Sequence, residues 1–289
     1  MHRNNLFDNK EFAYILNLKI LGVFIQIRAK FNKFIEGVRD YYSSSVIIEP
    51  WASPDIVIYC EWTESSPFLY RARSINTGTV LEGIFIQEAG EEPYAWASLN
   101  PPLPPMETNI FRNKFIGLHS AVVSWKNGLC ALLIGHRESG KSTLSYELAK
   151  NNKAYFLSDE NALIHCRTKL VEPFARPLHI WSKQADGKLS KSPIPITEVK
   201  GINLGSECLV THLVFLNKID ESSVNVTSMS EYEAFKKLIP HNLNFGSETE
   251  ESLISLMHLV KNTECIELTY AGFAQKDQAV QELIKIFNP

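Results

Sequence analysis

The sequence predicts an α/β protein in two parts, a smaller α+β domain over residues 1–110 and an α/β domain over residues 111–289. Three observations predict it. Short runs rich in Ile, Val and Phe stand between stretches whose apolar residues recur at helical spacing. A proline run, Pro101-Pro-Leu-Pro-Pro105, divides the chain where neither a helix interior nor a central strand can continue. Beyond it, a buried-type strand leads into a glycine loop and then a helix, as in a phosphate-binding α/β unit.

The first part opens with Leu18 to Ala29, read as one strand, followed by an amphipathic helix marked by Phe31, Phe34, Ile35, Val38 and Tyr42. Asp55 to Cys60, behind Pro54, and Thr79 to Gln87, behind Asn76-Thr77-Gly78, read as further strands. No recognisable chemistry lies here; Trp51, Trp62 and Trp96 read as core or rim residues.

In the second part, apolar runs at Ile116 to Val123 and Leu129 to Ile134 flank the turn Lys126-Asn127-Gly128. Lys153 to Ser158, Ala162 to His165, Leu170 to Pro173 and Leu209 to Leu216 read as strands. A helix starting at Ser247, with Glu250 completing a capping box, buries Leu253, Leu256, Met257 and Val260. A strand at Cys265 to Tyr270 precedes a last helix that buries Val280, Leu283, Ile284 and Phe287.

Composition narrows the function classes. With 289 residues, 45% hydrophobic and 21% charged, the chain is neither disordered nor collagen-like nor a coiled coil. A net charge of −3 gives no footprint of a nucleic-acid or anionic-membrane binder. Five scattered cysteines without a CxxC pair read as buried thiols rather than a disulfide framework or a zinc site. The run Ile15 to Ile27 is too short to span a membrane and carries Asn17, Lys19 and Gln26. Acidic Asp8 and Glu11 precede it, so the expectation is a cytoplasmic chain without a secretory signal, in which the sequon Asn225-Val-Thr227 is a chance match.

The chemistry is concentrated after Cys130-Ala-Leu-Leu-Ile134. Gly135-His136-Arg137-Glu138-Ser139-Gly140-Lys141-Ser142 fits G-x-x-x-x-G-K-[ST], and Thr143 follows it into the helix that carries Leu144 and Leu148. Glycines let backbone N–H groups converge on phosphate oxygens, and the amino end of the helix adds its positive field. Lys141 is placed to reach terminal phosphates and Ser142 to ligate Mg²⁺. Glu138, an anion inside an anion-binding loop, has Arg137 beside it; either the two compensate or both face solvent.

Eighteen positions after Lys141, the apolar strand Tyr155-Phe-Leu-Ser ends in Asp159 and Glu160. A carboxylate at the carboxyl end of a parallel strand stands where ligands bind in open α/β sheets. One carboxylate suits a metal ion and the other suits proton abstraction from a hydroxyl. His119, in Gly117-Leu-His-Ser120, reads either as a satisfied core histidine or as a site residue. Arg176, stiffened between Pro173 and Pro177, reads either as a phosphate clamp or as a surface charge.

Taken together, the stretch from Phe115 to Glu160 resembles the catalytic domain of the HPr kinase/phosphorylase-like serine kinases, which share a phosphoenolpyruvate-carboxykinase-like nucleotide fold. The matching features are His119, the Lys126-Asn-Gly128 turn, the loop Gly135 to Thr143 and Ser158-Asp159-Glu160. The segment around Arg176 is similar to relatives found beside peptide-modification genes, including lasso-peptide precursor kinases. The resemblance implies ATP and Mg²⁺ as cofactors and a protein or peptide partner carrying an acceptor serine. Asp159 would be the base, Glu160 and Ser142 would assist the metal together with Asp159, and His119 would lie near the transferred phosphate. Relatives are often oligomeric, so a homo-oligomer is part of the same implication. The sequence departs from the family at Arg137-Glu138, where Ser-Gly is usual, at Glu160, often aspartate, and in lacking the glycine-rich C-terminal signature. The acceptor therefore stays open.

Three other readings stand beside the serine kinase. Asn217-Lys218-Ile219-Asp220 matches the guanine-reading tetrad of GTPases, although no D-x-x-G switch motif occurs in the chain. The chain also fits a nucleotide-binding interaction protein, or a kinase whose acceptor is a small molecule such as free serine.

Overall fold

In a computed structural model of the protein the described residues are 12–20, 22–48, 53–63, 66–75, 78, 80–85, 115–150, 154–175, 177–183, 189–194, 196–219, 223–243 and 249–287. The proline run 101–105 and the expected cap at Ser247 lie outside them. The chain divides into two units, Met1–Asn113 and Lys114–Pro289.

Among the described residues the first unit is a five-stranded sheet in the order β1-β2-β3-β4-β5 with one α-helix. The stretch expected as a single strand from Leu18 is two strands, β1 (Tyr14–Ile20) and β2 (Val23–Ala29), an antiparallel hairpin that closes with Ile20 opposite Val23. Continuous apolar character hid the reversal between Ile20 and Val23, since both strands bury alternate residues and no polar gap parts them. Helix α1 (Asn32–Tyr41) buries Phe34, Ile35 and Val38 and crosses to β3 (Ile56–Thr63), which lies parallel to β2. The hairpin strands β4 (Ser66–Ser74) and β5 (Val80–Phe85) complete the sheet.

The second unit runs, in order, β6 (Phe115–Leu118), β7 (Ser120–Ser124), β8 (Cys130–Ile134), α2 (Lys141–Ala149), β9 (Tyr155–Ser158), β10 (Ala162–His165), β11 (Leu170–Glu172), β12 (Leu178–Lys183), β13 (Leu189–Ile194), β14 (Asn203–Leu204), β15 (Cys208–Leu209), β16 (His212–Lys218), β17 (Asn225–Ser228), α3 (Glu231–Leu238), α4 (Thr249–Lys261), β18 (Glu264–Tyr270) and α5 (Lys276–Phe287). Its main sheet has seven strands in the order β14-β9-β7-β8-β16-β18-β17. A four-stranded sheet, β15-β11-β10-β6, and the hairpin β12-β13 accompany it.

Strand direction positions the site. β8 is parallel to β16, and β16 to β18. β7 is antiparallel to both β8 and β9, so β9 runs the same way as β8. The carboxyl ends of β8, β9, β16 and β18 therefore meet along one edge, together with the amino end of β7. That edge is where open α/β sheets receive ligands.

The main sheet is buried on both faces, as parallel strands require. Leu132 and Ile134 of β8 point to one face, with Leu213, Phe215, Ala234, Leu238, Leu256 and Leu259. Ala131 and Leu133 point to the other, with Leu144, Leu148, Val214, Leu216, Leu283 and Phe287. Helices α3 and α4 thus cover the first face, and α2 and α5 the second.

Several elements differ from the sequence reading. The run Ile116 to Val123 is two strands in two different sheets, because β6 pairs with β10 while β7 pairs with β8 and β9. His119 is the corner between them. Leu209 to Leu216 likewise breaks between β15 and β16. In α4 the buried positions are Leu256, Leu259 and Val260, whereas Met257 is 56% exposed, one step off the expected stripe. Helix α3 was not foreseen, although Ser230 and Glu233 form a complete capping box at its start.

Candidate functional site: a glycine loop beside a buried aspartate

The glycine loop leaves β8 at Ile134 and enters α2 through Gly140, whose φ of 96° lies in the left-handed region that favours glycine. A Cβ on Gly140 would stand 2.0 Å from the Tyr270 hydroxyl oxygen. A Cβ on Gly135 would stand 2.5 Å from Ser139 Oγ and 3.1 Å from the Leu216 carbonyl oxygen. Both glycines are thus required by close approach, one against β18 and one against β16. Tyr270, fully buried at the end of β18, donates its hydroxyl to the Ser139 carbonyl at 2.6 Å.

Inside the arch the lysine is drawn back over the loop. Lys141 is 6% exposed, and its Nζ donates to the carbonyls of Gly135 at 2.7 Å and His136 at 3.0 Å. Ser139 Oγ is buried without a hydrogen-bond partner, a polar atom aimed into the loop. Arg137 and Glu138 are both exposed, so of the two sequence readings of this pair the one with both at the solvent side holds. Ser142 and Thr143 are half-buried on the first turn of α2.

Asp159, 2% exposed, follows the last residue of β9. A tight turn presents it: Ser158 Oγ donates to the Asn161 carbonyl at 2.5 Å and accepts from the Asn161 N–H at 3.3 Å. Only β7 separates β9 from β8, so the two strand ends are roughly 10 Å apart across the sheet. Glu160 is half-buried beside it. The segment leading to Arg176 runs along β9, with the Phe174 N–H donating to the Leu157 carbonyl at 2.8 Å and Ser158 bridging Phe174. Arg176 itself lies outside the described residues.

His119 belongs to this edge. Burial, then the Lys141 charge, hold its pKa below the usual value, against the opposing influence of the neighbouring Glu160. Sequence reasoning missed a second histidine, His241. It ends the short turn Ile239–His241 after α3, 8% exposed. Its carbonyl accepts from the His119 N–H at 2.7 Å, while the Leu243 N–H donates to the Gly117 carbonyl at 2.8 Å. Its ring stacks with that of His119, centroids 6.5 Å apart, and stands 5.5 Å from that of His136 in the loop. Burial, Lys141 and the two neighbouring imidazoles push its pKa down to about 4. A lone histidine far along the chain from the loop, in no motif, gives no sequence signal.

The tetrad expected of a GTPase is differently engaged. Asn217 donates its amide to Glu267 at 3.1 Å, and Lys218 packs its methylenes against Gly272. Asp220 lies outside the described residues. Among the described residues no group of three or more His, Cys, Asp or Glu is placed to hold a metal ion. Magnesium takes one or two carboxylates and completes its shell with phosphate oxygens and water. Asp159, Glu160 and Ser142 offer hard oxygen ligands of this kind.

No protein-family profile matches the chain, and no curated protein matches it. Among solved structures, the Hpr(Ser) kinase/phosphatase from Coxiella burnetii is similar at 10% sequence identity, over 59% of this chain and 89% of that one, with a TM-score of 0.33. A score that low carries no weight for fold or function, and the mixed α/β architecture stands on its own strand order. No helix among the described residues is long and apolar enough to cross a membrane.

Proposed function

We propose that the protein is an ATP-dependent kinase that transfers the γ-phosphoryl group to a serine or threonine hydroxyl of a protein or peptide. The observation that carries the reading is the pairing, on one sheet edge, of a phosphate loop with a buried carboxylate. The loop offers converging N–H groups, the amino end of α2 and the Lys141 ammonium to a triphosphate. Asp159 stands roughly two strand spacings away, which leaves room for a γ-phosphoryl group and an approaching hydroxyl.

In this reading the Asp159 carboxylate orients the acceptor hydroxyl and takes its proton. The acceptor oxygen forms a bond to the γ-phosphorus while the bond from that phosphorus to the bridging oxygen of ADP breaks. Lys141 and the loop N–H groups neutralise charge on the phosphoryl oxygens. His119 stands beside Glu160, next to the turn that presents Asp159. Magnesium, when bound, supplies charge neutralisation between the phosphates, and Ser142 with Glu160 or Asp159 would hold it. Arg176 is assigned the role of clamping the acceptor or product phosphate.

Transfer of labelled γ-phosphate from ATP to serine-bearing peptides and to free serine tests the assignment. The Asp159→Asn protein is expected to bind ATP and to transfer about 10²–10⁴-fold more slowly. Full activity in that variant removes Asp159 as the base. Labelling of free serine alone moves the acceptor to the small-molecule class, and tight ATP binding with no transfer to any hydroxyl leaves a nucleotide-binding interaction protein.

A further inference from the structure

His241 is a largely buried imidazole on the glycine-loop edge, 8% exposed. Its neighbours are set by three separate segments. His119 comes from the corner between β6 and β7, His136 from the loop, and Lys141 from the start of α2. The backbone around it is fixed by the His119 N–H and by the Leu118–Asn242 bridge, and Asn242 Nδ2 donates to Ser252 Oγ at 2.6 Å. So little of His241 is exposed that its ring is held among these neighbours rather than free in solvent. Here it is also placed among cationic and potentially cationic groups, an arrangement that repels a proton but attracts an anion.

We propose that His241 contacts the terminal phosphate of the bound nucleotide and makes the site prefer a triphosphate to a diphosphate. The assignment rests on the nucleotide-binding reading above and adds a residue from outside the loop. The backbone of the loop and Lys141 serve the phosphates common to ATP and ADP. From the turn after α3, which Asn242 bridges to β6, the His241 ring stands 5.5 Å from that of His136, the second residue of the loop, and so adds a donor from outside the loop. One N–H to a phosphate oxygen forms a charge-assisted hydrogen bond, whose loss is of the order of a tenfold change in affinity.

The experiment is a calorimetric titration of the full chain, and of His241→Ala, His241→Gln and Lys141→Ala, with ATP and with ADP. The wild-type chain is expected to bind ATP more tightly than ADP. In His241→Ala, ATP affinity falls about 10-fold while ADP affinity is unchanged; His241→Gln, which keeps an amide donor, recovers part of the difference. Lys141→Ala weakens both nucleotides. Unchanged ADP binding in the alanine variant also shows that the loop is still folded. An ATP preference that survives both His241 substitutions overturns the proposal, as does an equal fall for ATP and ADP, the mark of a packing role. Equal ATP and ADP affinities in the wild-type chain overturn it while leaving nucleotide binding intact. A wild-type chain that binds neither nucleotide removes the nucleotide reading itself, and this inference with it.

Discussion

The Tyr270 hydroxyl donates to the Ser139 carbonyl at 2.6 Å, across 131 positions of sequence. This one bond ties the last strand of the main sheet to the glycine loop. Burial pushes the phenol pKa up to about 12, so the hydroxyl stays a donor throughout the neutral range. Tyr270→Phe removes the donor and leaves a carbonyl in the loop without that partner. The expected cost is about 1 kcal/mol of stability, with weaker nucleotide binding because the loop is no longer held to β18. Urea unfolding and nucleotide titration of the same variant measure the two effects separately.

Gly140→Ala meets two obstacles at once. The new Cβ falls 2.0 Å from the Tyr270 hydroxyl oxygen, and the backbone at φ 96° is one that L side chains rarely adopt. Both force the loop to move, so nucleotide binding is expected to be lost. In the Gly140→Ala/Tyr270→Phe double variant the contact with the hydroxyl disappears but the backbone strain, of order 1–3 kcal/mol, remains. A double-mutant cycle is therefore expected to show positive coupling without full recovery. Full recovery of binding would mean that the backbone conformation at Gly140 is dispensable.

The parts of this site that the sequence displayed are those whose chemistry is local. Gly135, Gly140, Lys141 and Ser142 lie in one contiguous loop, and the strand that ends in Asp159 carries its signal in three apolar residues, a serine and a carboxylate. The order β9-β7-β8, which brings Asp159 to the loop, follows from strand direction and pairing that no single run of residues encodes. His241 and Tyr270 were illegible for the same reason: each reaches the loop from an element distant in sequence, in no motif. The split of Ile116 to Val123 into β6 and β7 was hidden because both halves are buried throughout, and burial gives no period from which to find a corner. The capping box of α3, Ser230 with Glu233, was present in the sequence and simply not read as a helix start.

Glu147 of α2 and Lys276 at the start of α5 form a partly buried ion pair, 2.6 Å between Nζ and Oε1. The pair raises the pKa of Lys276, chiefly through its hydrogen bond to Glu147. It fastens the phosphate-loop helix to the last helix on the same face of the sheet. Lys276→Met keeps the methylenes and removes the charge, so the expected loss of stability is modest, about 0.5–1 kcal/mol. Nucleotide affinity should be unchanged, since the pair is at the far side of α2 from its amino end. A urea midpoint lowered in low salt, and less so in high salt, is the expected pattern.

His241 and His119 both have lowered pKa values, which makes stability depend on pH on the acid side. An unfolded imidazole takes up its proton near pH 6.5, whereas folded His241 does so only near pH 4. Between those values the unfolded chain binds more protons than the folded one, so stability rises with pH. It is fully present above the unfolded value and is lost as pH falls through the window toward the folded one. His119, whose pKa is also lowered, adds a contribution of the same sign. Urea midpoints measured at about pH 7.5, 6, 5 and 4.5 should therefore decline steadily toward acid. His241→Gln, which cannot take up the proton, is expected to flatten part of that decline; a slope identical to the wild-type chain would show that His241 is not buried neutral in the folded protein.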